Sequence, residues 1–428
     1  MKRYSEYKDS GVKWIGEIPG HWKITTLKRH CKVNTGGTPS MSESRFYESP
    51  TIPWFTPGDL SENLKLSDST RKLSKTVIKE GVCKLFPINT VYFVGIGATV
   101  GKVGYSEHSA YCNQQINALI PYDINYKYLT YYLVFCKPEI VRIASASTLP
   151  IINQSKTGNI PLIELSIPEQ EAIVTYLDYK VAKIDEYISI AEKKIAALEE
   201  LKQTIIAEAV TRGIHKDVPM KDSGVKWIGM IPEHWKVMRL SQIAYEHFIS
   251  NKKIHHQNLL SLSYGQIIRK DINGTNGLLP ASFDTYQVVE EGNIILRLTD
   301  LQNDHKSLRV GLVKETGIIT SAYLCLAPKN MVYSKFLYFQ LHACDIKKVF
   351  YSMGDGLRQS LNYDGMRKLA SVIPPLPEQQ EIVTYIEAKA AKIDQLCQAE
   401  RSQIEKLKEY KQRLISDVVT GKVKVMND

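Results

Sequence analysis

No two of the seven cysteines form a C-x-x-C pair, and their number is odd. That argues against a zinc ribbon or a disulfide framework and points to a reducing compartment. No apolar run approaches the roughly 18 residues a membrane span needs. The opening MKRYSEYKDSGVKW lacks the apolar stretch of a signal peptide. The expectation is a soluble, cytoplasmic chain with no membrane association. Catalytic signatures are missing too. There is no G-x-S-x-G elbow, no H-E-x-x-H pair, no Asn-Pro-Pro-aromatic motif and no paired carboxylate beside a lysine that would mark a nuclease centre. The histidines are scattered, and the adjacent His255 and His256 have poor geometry for ligating one metal, so no metal site is expected. The segment GIGATVGKVGY at 95–105 invites a phosphate-loop reading and fails it. A P-loop needs four residues between its glycine and the Gly-Lys pair, then Ser or Thr. Here Gly97 is too close to Gly101, Gly95 is too far, and Val103 follows Lys102. A tight strand–turn–strand hairpin fits better, with Lys102 available to a phosphate.

What is present is a duplication. Residues 8–27, KDSGVKWIGEIPGHWKITTL, match residues 221–240, KDSGVKWIGMIPEHWKVMRL, at 15 of 20 positions. A second block, PEQEAIVTYLDYKVAKID at 168–185, returns as PEQQEIVTYIEAKAAKID at 377–394. A period of about 210 residues is too long for a solenoid repeat and marks a duplication of whole domains. The second block reads as a long helix in each half. Pro168 and Pro377 suit a first helical turn, and Glu169 and Glu378 place negative charge at the positive end of the dipole. Leu177, Val181, Ile184, Ile188, Ala191, Ile195 and Leu198 then recur in alternating steps of four and three, as do Ile386, Ala390, Ile393 and Cys397, the pattern of a coiled-coil seam. Lys202 and Lys411 interrupt this seam at equivalent positions. Either their stems snorkel or they fix register.

The stretches between the blocks read as mixed α/β globules. TVYFVGIG (90–97) and GNIILRLTD (292–300) have strand patterns. YKYLTYYLVFC (126–136) and SKFLYFQLHAC (334–344) read as buried helices that match each other across the repeat. Lys and Arg outnumber Asp and Glu by 55 to 45, a net charge of +10. The excess is uneven: residues 20–160 hold 16 basic and 9 acidic residues (+7) and 233–374 hold 17 and 12 (+5), whereas the helix at 168–213 holds 6 and 9 (−3) and that at 377–424 holds 9 and 8 (+1). Basic globules suit a polyanion, and near-neutral helices suit a protein–protein spacer.

The order W-I-G-x-I-P-x-H-W, then G-G-T-P (36–39), G-A-T-V-G-K (97–102) and P-E-Q ahead of a long helix containing K-I-D resembles the specificity subunits of type I restriction–modification systems. The resemblance spans essentially the whole chain, duplication included. It implies an α+β fold: two mixed α/β target recognition domains joined by two long antiparallel coiled-coil helices with pseudo-two-fold, circular symmetry. The expected layout is an N-terminal repeated segment (1–19), a first recognition domain (20–160), a central helical region (161–213), a linker repeating the N-terminus (214–232), a second recognition domain (233–374) and a C-terminal helix (375–428). It further implies a non-catalytic subunit on double-stranded DNA. Each domain would read one half of a bipartite, asymmetric target. Two modification (methyltransferase) subunits and two restriction (motor-nuclease) subunits would be its partners. No cofactor is expected in this chain; the partners would use S-adenosylmethionine, ATP and Mg. Asn34, Thr38, Arg45, Lys102 and Gln154 in the first domain and Asn276, Arg297, Arg358 and Gln359 in the second are the candidate DNA contacts, as Arg, Lys, Asn and Gln suit phosphates and base edges. Trp14, Trp22, Trp227 and Trp235, being duplicated, are assigned to structure. Two other readings stay open on sequence alone: a stand-alone DNA-modifying enzyme with an unrecognised site, and a coiled-coil scaffold without a DNA role.

Overall fold

Thr90–Val94 consists only of β-branched and aromatic residues, the composition that packs best on a pleated surface, and every residue of it is buried. It is an inner strand of one of two matching four-stranded sheets in the computed structural model, which describes residues 3–144, 150–215, 217–272, 280, 282–301, 308–353 and 361–425. The chain divides into two units, residues 1–191 with 402–428 and residues 192–401. The sheet of the first unit holds β1 (Cys31–Thr35), β2 (Thr90–Val94), β3 (Val103–Ser106) and β4 (Ile116–Pro121) in the order β1-β4-β2-β3, all antiparallel. Helices α1 (Tyr126–Ala144) and α2 (Gln154–Gly158) follow, then the long α3 (Ile167–Arg212). In the second unit β5 (Ala244–Glu246), β6 (Ile294–Leu296), β7 (Val310–Leu312) and β8 (Leu324–Pro328) form a sheet in the order β5-β8-β6-β7, again antiparallel. It is followed by α4 (Ser334–Ile346), α5 (Tyr363–Met366) and the long α6 (Leu376–Val419). The globules therefore share a topology, as the paired helix patterns predict, and 90–106 is the hairpin expected, with Thr90 opposite Ser106.

The repeated segments join helix ends to globules in the same way in each unit. In the first, the buried Trp22 donates its indole N–H to Glu169 Oε1 at 2.9 Å, and His21 Nε2 lies 2.7 Å from the same oxygen. In the second, Trp235 donates to Glu378 Oε1 at 2.9 Å and His234 Nε2 lies 2.8 Å from Oε2. The helices end on equivalent left-handed glycines, Gly213 (φ 76°) and Gly421 (φ 74°). A side chain at 421 would strike Pro19 and Trp22, one at 213 would press on Trp235, and Tyr7 Oη donates to the Gly421 carbonyl at 2.9 Å. The segment that follows α3 directly in the second unit thus meets the end of α6 from the opposite end of the chain in the first.

Inside each unit the two helix portions run antiparallel. In the first, Leu177, Val181 and Ile184 share a core with Leu414, Ile415 and Val418. In the second, Glu199 meets Arg401 (2.7 Å) and Lys202 meets Asp394 (2.8 Å), the numbers falling on one helix as they rise on the other. The equivalent pair in the first unit is Lys411–Asp185, 2.7 Å. The seam lysines are therefore paired with carboxylates of the opposite helix, the register-fixing arrangement rather than simple snorkelling. Glu400, at the seam position equivalent to Ala191, is paired with Lys194. All seven cysteines are buried free thiols, and no helix among the described residues is long and apolar enough to cross a membrane.

Candidate nucleic-acid interface

One end of the first unit's sheet is assembled from four segments distant in sequence. The loop leaving β1 is drawn over β4, with the Gly36 N–H on the Ile116 carbonyl (3.2 Å) and the Gly37 N–H on that of Cys112 (2.9 Å). A Cβ at 36 would lie 2.0 Å from the Cys112 oxygen, so only glycine permits this approach. The β2–β3 hairpin is tied to the turn before β4, the Gln115 carbonyl accepting from Gly95 and Ile96 (2.8 and 3.2 Å). The segment entering α2 closes the set: the Ile152 N–H donates to Gly95 O (2.8 Å), and the Asn153 side chain caps α2 by accepting from the Lys156 N–H. Beneath lies Asn117, 4% exposed, which accepts from Thr35 Oγ1 (3.0 Å) and donates to Thr157 Oγ1 (3.0 Å) and Ile152 O (3.2 Å). A buried amide satisfied on both sides is a rigid hub.

This arrangement brings two of the five first-domain candidates, Thr38 and Gln154, to the sheet end, whereas Asn34 lies on the opposite face of β1 from Thr35. Gln154 Nε2 donates to Thr35 Oγ1 at 2.6 Å, Thr38 donates to the Gln114 side chain, and Asn34 lies half-buried on β1 opposite Ala118. Arg45 is exposed, stacked over Phe46 at the edge of a small satellite core with Trp54 and Leu73, and its guanidinium is engaged by Glu43 and Glu80. Lys102 is half-buried, and its ammonium donates inward to the Leu60 carbonyl at 3.0 Å. Gln114 and Gln115 reach the same end without having been singled out from the sequence. Asn113 donates to Gln115 Oε1 at 3.1 Å, which sets the orientation of that amide. The signal was available in CNQQIN (112–117), four amides within six residues between apolar strands. Exposed cations flank the site: Lys156 is two residues beyond Gln154, and Gly158 packs against Lys28.

Amides and hydroxyls on a rigid sheet end, with cations alongside, form a surface for hydrogen-bonding a polyanion. Among the described residues no group of three or more His, Cys, Asp or Glu could hold a metal. A family model, the type I restriction modification DNA specificity domain, matches residues 19–200. The matched stretch and the relatives that follow are those of type I restriction enzyme specificity subunits, which this chain resembles. The MjaIX specificity subunit of Methanocaldococcus jannaschii is 25% identical over 98% of this chain and 97% of its own length. The EcoR124I/EcoR124II specificity subunit of Escherichia coli is 29% identical over 41% of this chain and 44% of its own. A solved structure from a study of complex assembly and conformational transition of the type I R-M system shares the fold, with a TM-score of 0.67 at 13% identity over 95% of this chain and 99% of that one.

In the second unit, Arg297 immediately follows β6 and is half-buried. Its backbone N–H donates to the Arg309 carbonyl (2.9 Å) and its carbonyl accepts from Arg309 Nη1 (3.0 Å). The Leu361 N–H donates to Leu298 O at 3.0 Å, repeating the Ile152–Gly95 bond of the first unit, and Asn362 caps α5 as Asn153 caps α2. Asn276, Arg358 and Gln359 lie outside the described residues.

Proposed function

We propose that this chain is a specificity subunit and gives a type I complex its DNA address, each unit reading one half of a bipartite, asymmetric target with the loops at the end of its sheet. What carries the reading is one strand order bearing different loops. Gly95–Gly101 stands in one unit where Arg297–Leu308 stands in the other, on otherwise matching sheets. The same scaffold with different donors and acceptors reads different bases, which argues against a palindrome. In the first unit Thr38, Gln114 and Gln154 serve the base edges, and Lys28 and Lys156 the phosphates. Arg45, held by two carboxylates, gives one up to reach a phosphate. In the second unit Arg297, with Asn276, Arg358 and Gln359, completes the set.

The chain itself binds no cofactor and carries out no chemistry. Two methyltransferase subunits dock on the repeated segments and supply S-adenosylmethionine chemistry. Two motor-nuclease subunits add ATP- and Mg-dependent translocation and cleavage, and the long helices set the distance between half-sites. The complex works in the cytoplasm. Sequencing methylated bases in DNA from cells carrying this chain and a modification subunit tests the reading. One bipartite, non-palindromic motif is expected, along with no turnover by the purified chain given DNA, Mg²⁺ and S-adenosylmethionine. A palindromic motif, or turnover by the chain alone, overturns it.

A further inference from the structure

Arg309 is fully buried. A buried guanidinium is tolerated only when its donors are met, and here they converge on one stretch of backbone. Nη1 donates to the carbonyls of Arg297 (3.0 Å) and Thr299 (2.8 Å), and Nη2 to that of Asp300 (3.1 Å). Nε donates to Tyr351 Oη at 3.2 Å, and the Arg309 backbone N–H donates to the carboxylate of the buried Asp345 at 2.6 Å. Thr299 and Asp300, whose carbonyls it grips, have exposed side chains. Asp300 also has φ 56°, a left-handed conformation that an L-residue holds only under constraint.

Register shows what this replaces in the other unit. Phe93 pairs with Val103 and Leu296 with Val310, so Lys102 and Arg309 occupy the same position, one residue before the returning strand. By the same count Gly97, with φ 101°, stands where Asp300 stands. The first unit makes its left-handed turn with a glycine, and its cation makes one inward bond, from Lys102 to Leu60 O on a neighbouring loop. The second makes the turn with an aspartate and holds the carbonyls of Arg297, Thr299 and Asp300 from beneath.

We infer that the cation preceding the returning strand, Arg309 in one unit and Lys102 in the other, is a positioning residue that shapes the DNA-reading loop above it and does not contact phosphate. The inference rests on the DNA-reading role proposed above. The experiment uses the chain assembled with its modification subunit and measures three quantities: affinity for duplexes carrying the mapped target, affinity for the same duplexes with single-base changes in either half, and the salt dependence on a non-specific duplex. Arg309→Gln is expected to lower discrimination about tenfold in one half-site, with the other half unchanged. Arg309→Lys should recover part of the loss, since a lysine serves at the equivalent position. The salt slope should match the wild type for both, whereas a phosphate contact would lower it by about 1. Lys102→Met, which removes a single hydrogen bond and so spares the fold, should reduce discrimination in the opposite half-site. Intact discrimination in Lys102→Met, equal loss in both halves for Arg309→Gln, or a reduced salt slope overturns the inference. A wild-type complex with no sequence preference overturns the DNA-reading role along with it.

Discussion

Glu169 accepts hydrogen bonds from four directions: the Trp22 indole, His21, and the Ser166 hydroxyl and backbone N–H. With Ser166 ahead of α3 it forms a capping box, and with Trp22 it fastens the repeated segment to the helix start. Burial pushes its carboxyl up, but bonds from Trp22, His21 and Ser166 outweigh that and hold it below the ordinary value of 4.5. A depressed carboxylate contributes stability that is present above pH 4.5 and disappears as pH falls through the lower, folded-state value. Glu169→Gln should therefore destabilise the chain by about 1 kcal/mol at pH 7, and the gap between variant and wild type should close below pH 4.5. Urea midpoints at pH 7 and in acid would check this; a gap that persists in acid would mean that packing, not charge, fastens the junction.

At the scale of elements, the long helices show what a sequence pattern can and cannot express. The heptad spacing placed Leu177, Val181, Ile184 and Ala191 on one seam and Ile386, Ile393 and Cys397 on the other, and all are buried, whereas Ile188, Ile195, Leu198 and Ala390 of the same pattern are half-buried. The seam lysines remained ambiguous, because pairing depends on which residue of the other helix lies opposite, and spacing along one helix does not encode that. Their partners, Asp394 for Lys202 and Asp185 for Lys411, are themselves repeat-equivalent, so one sequence feature supplies both halves of a reciprocal pair. The Lys411 side chain is only 12% exposed, against 45% for Asp185. Removing the carboxylate strands a mostly buried ammonium, whereas removing the ammonium leaves an exposed carboxylate that water can serve. Asp185→Asn should accordingly cost about 1 kcal/mol, while Lys411→Met, which restores an apolar seam, should be neutral or stabilising. Equal losses for both in denaturant unfolding would show the pair to be a net stabiliser instead.

For the whole molecule, the duplication in the sequence carried the architecture, since matching apolar patterns predict matching strands and helices. The site was less legible. The equivalence of Gly97 with Asp300, or of Lys102 with Arg309, is defined by strand register and appears in no alignment of those letters. Gln114 and Gln115 are not singled out from the sequence; the bonds from Gly95 and Ile96 to the Gln115 carbonyl bring their turn to the sheet end. The proposed spacing role of the helices can be tested because of where the units divide. The division falls at 191/192 in α3 and at 401/402 in α6. Each unit's internal pairs, Lys411–Asp185 in one and Lys202–Asp394 in the other, lie wholly to one side of those boundaries. One heptad inserted at both points therefore preserves every contact within each unit and keeps the seam in phase, to about 20°. Seven residues lengthen a helix by about 10 Å, close to three base pairs of DNA at about 3.4 Å each. The methylated motif of such a variant should retain both half-sites and gain about three base pairs of spacer. A heptad in one helix alone should instead leave seven residues without seam partners and weaken assembly. An unchanged spacer in the doubly extended variant would remove the helices from any role in measuring the target.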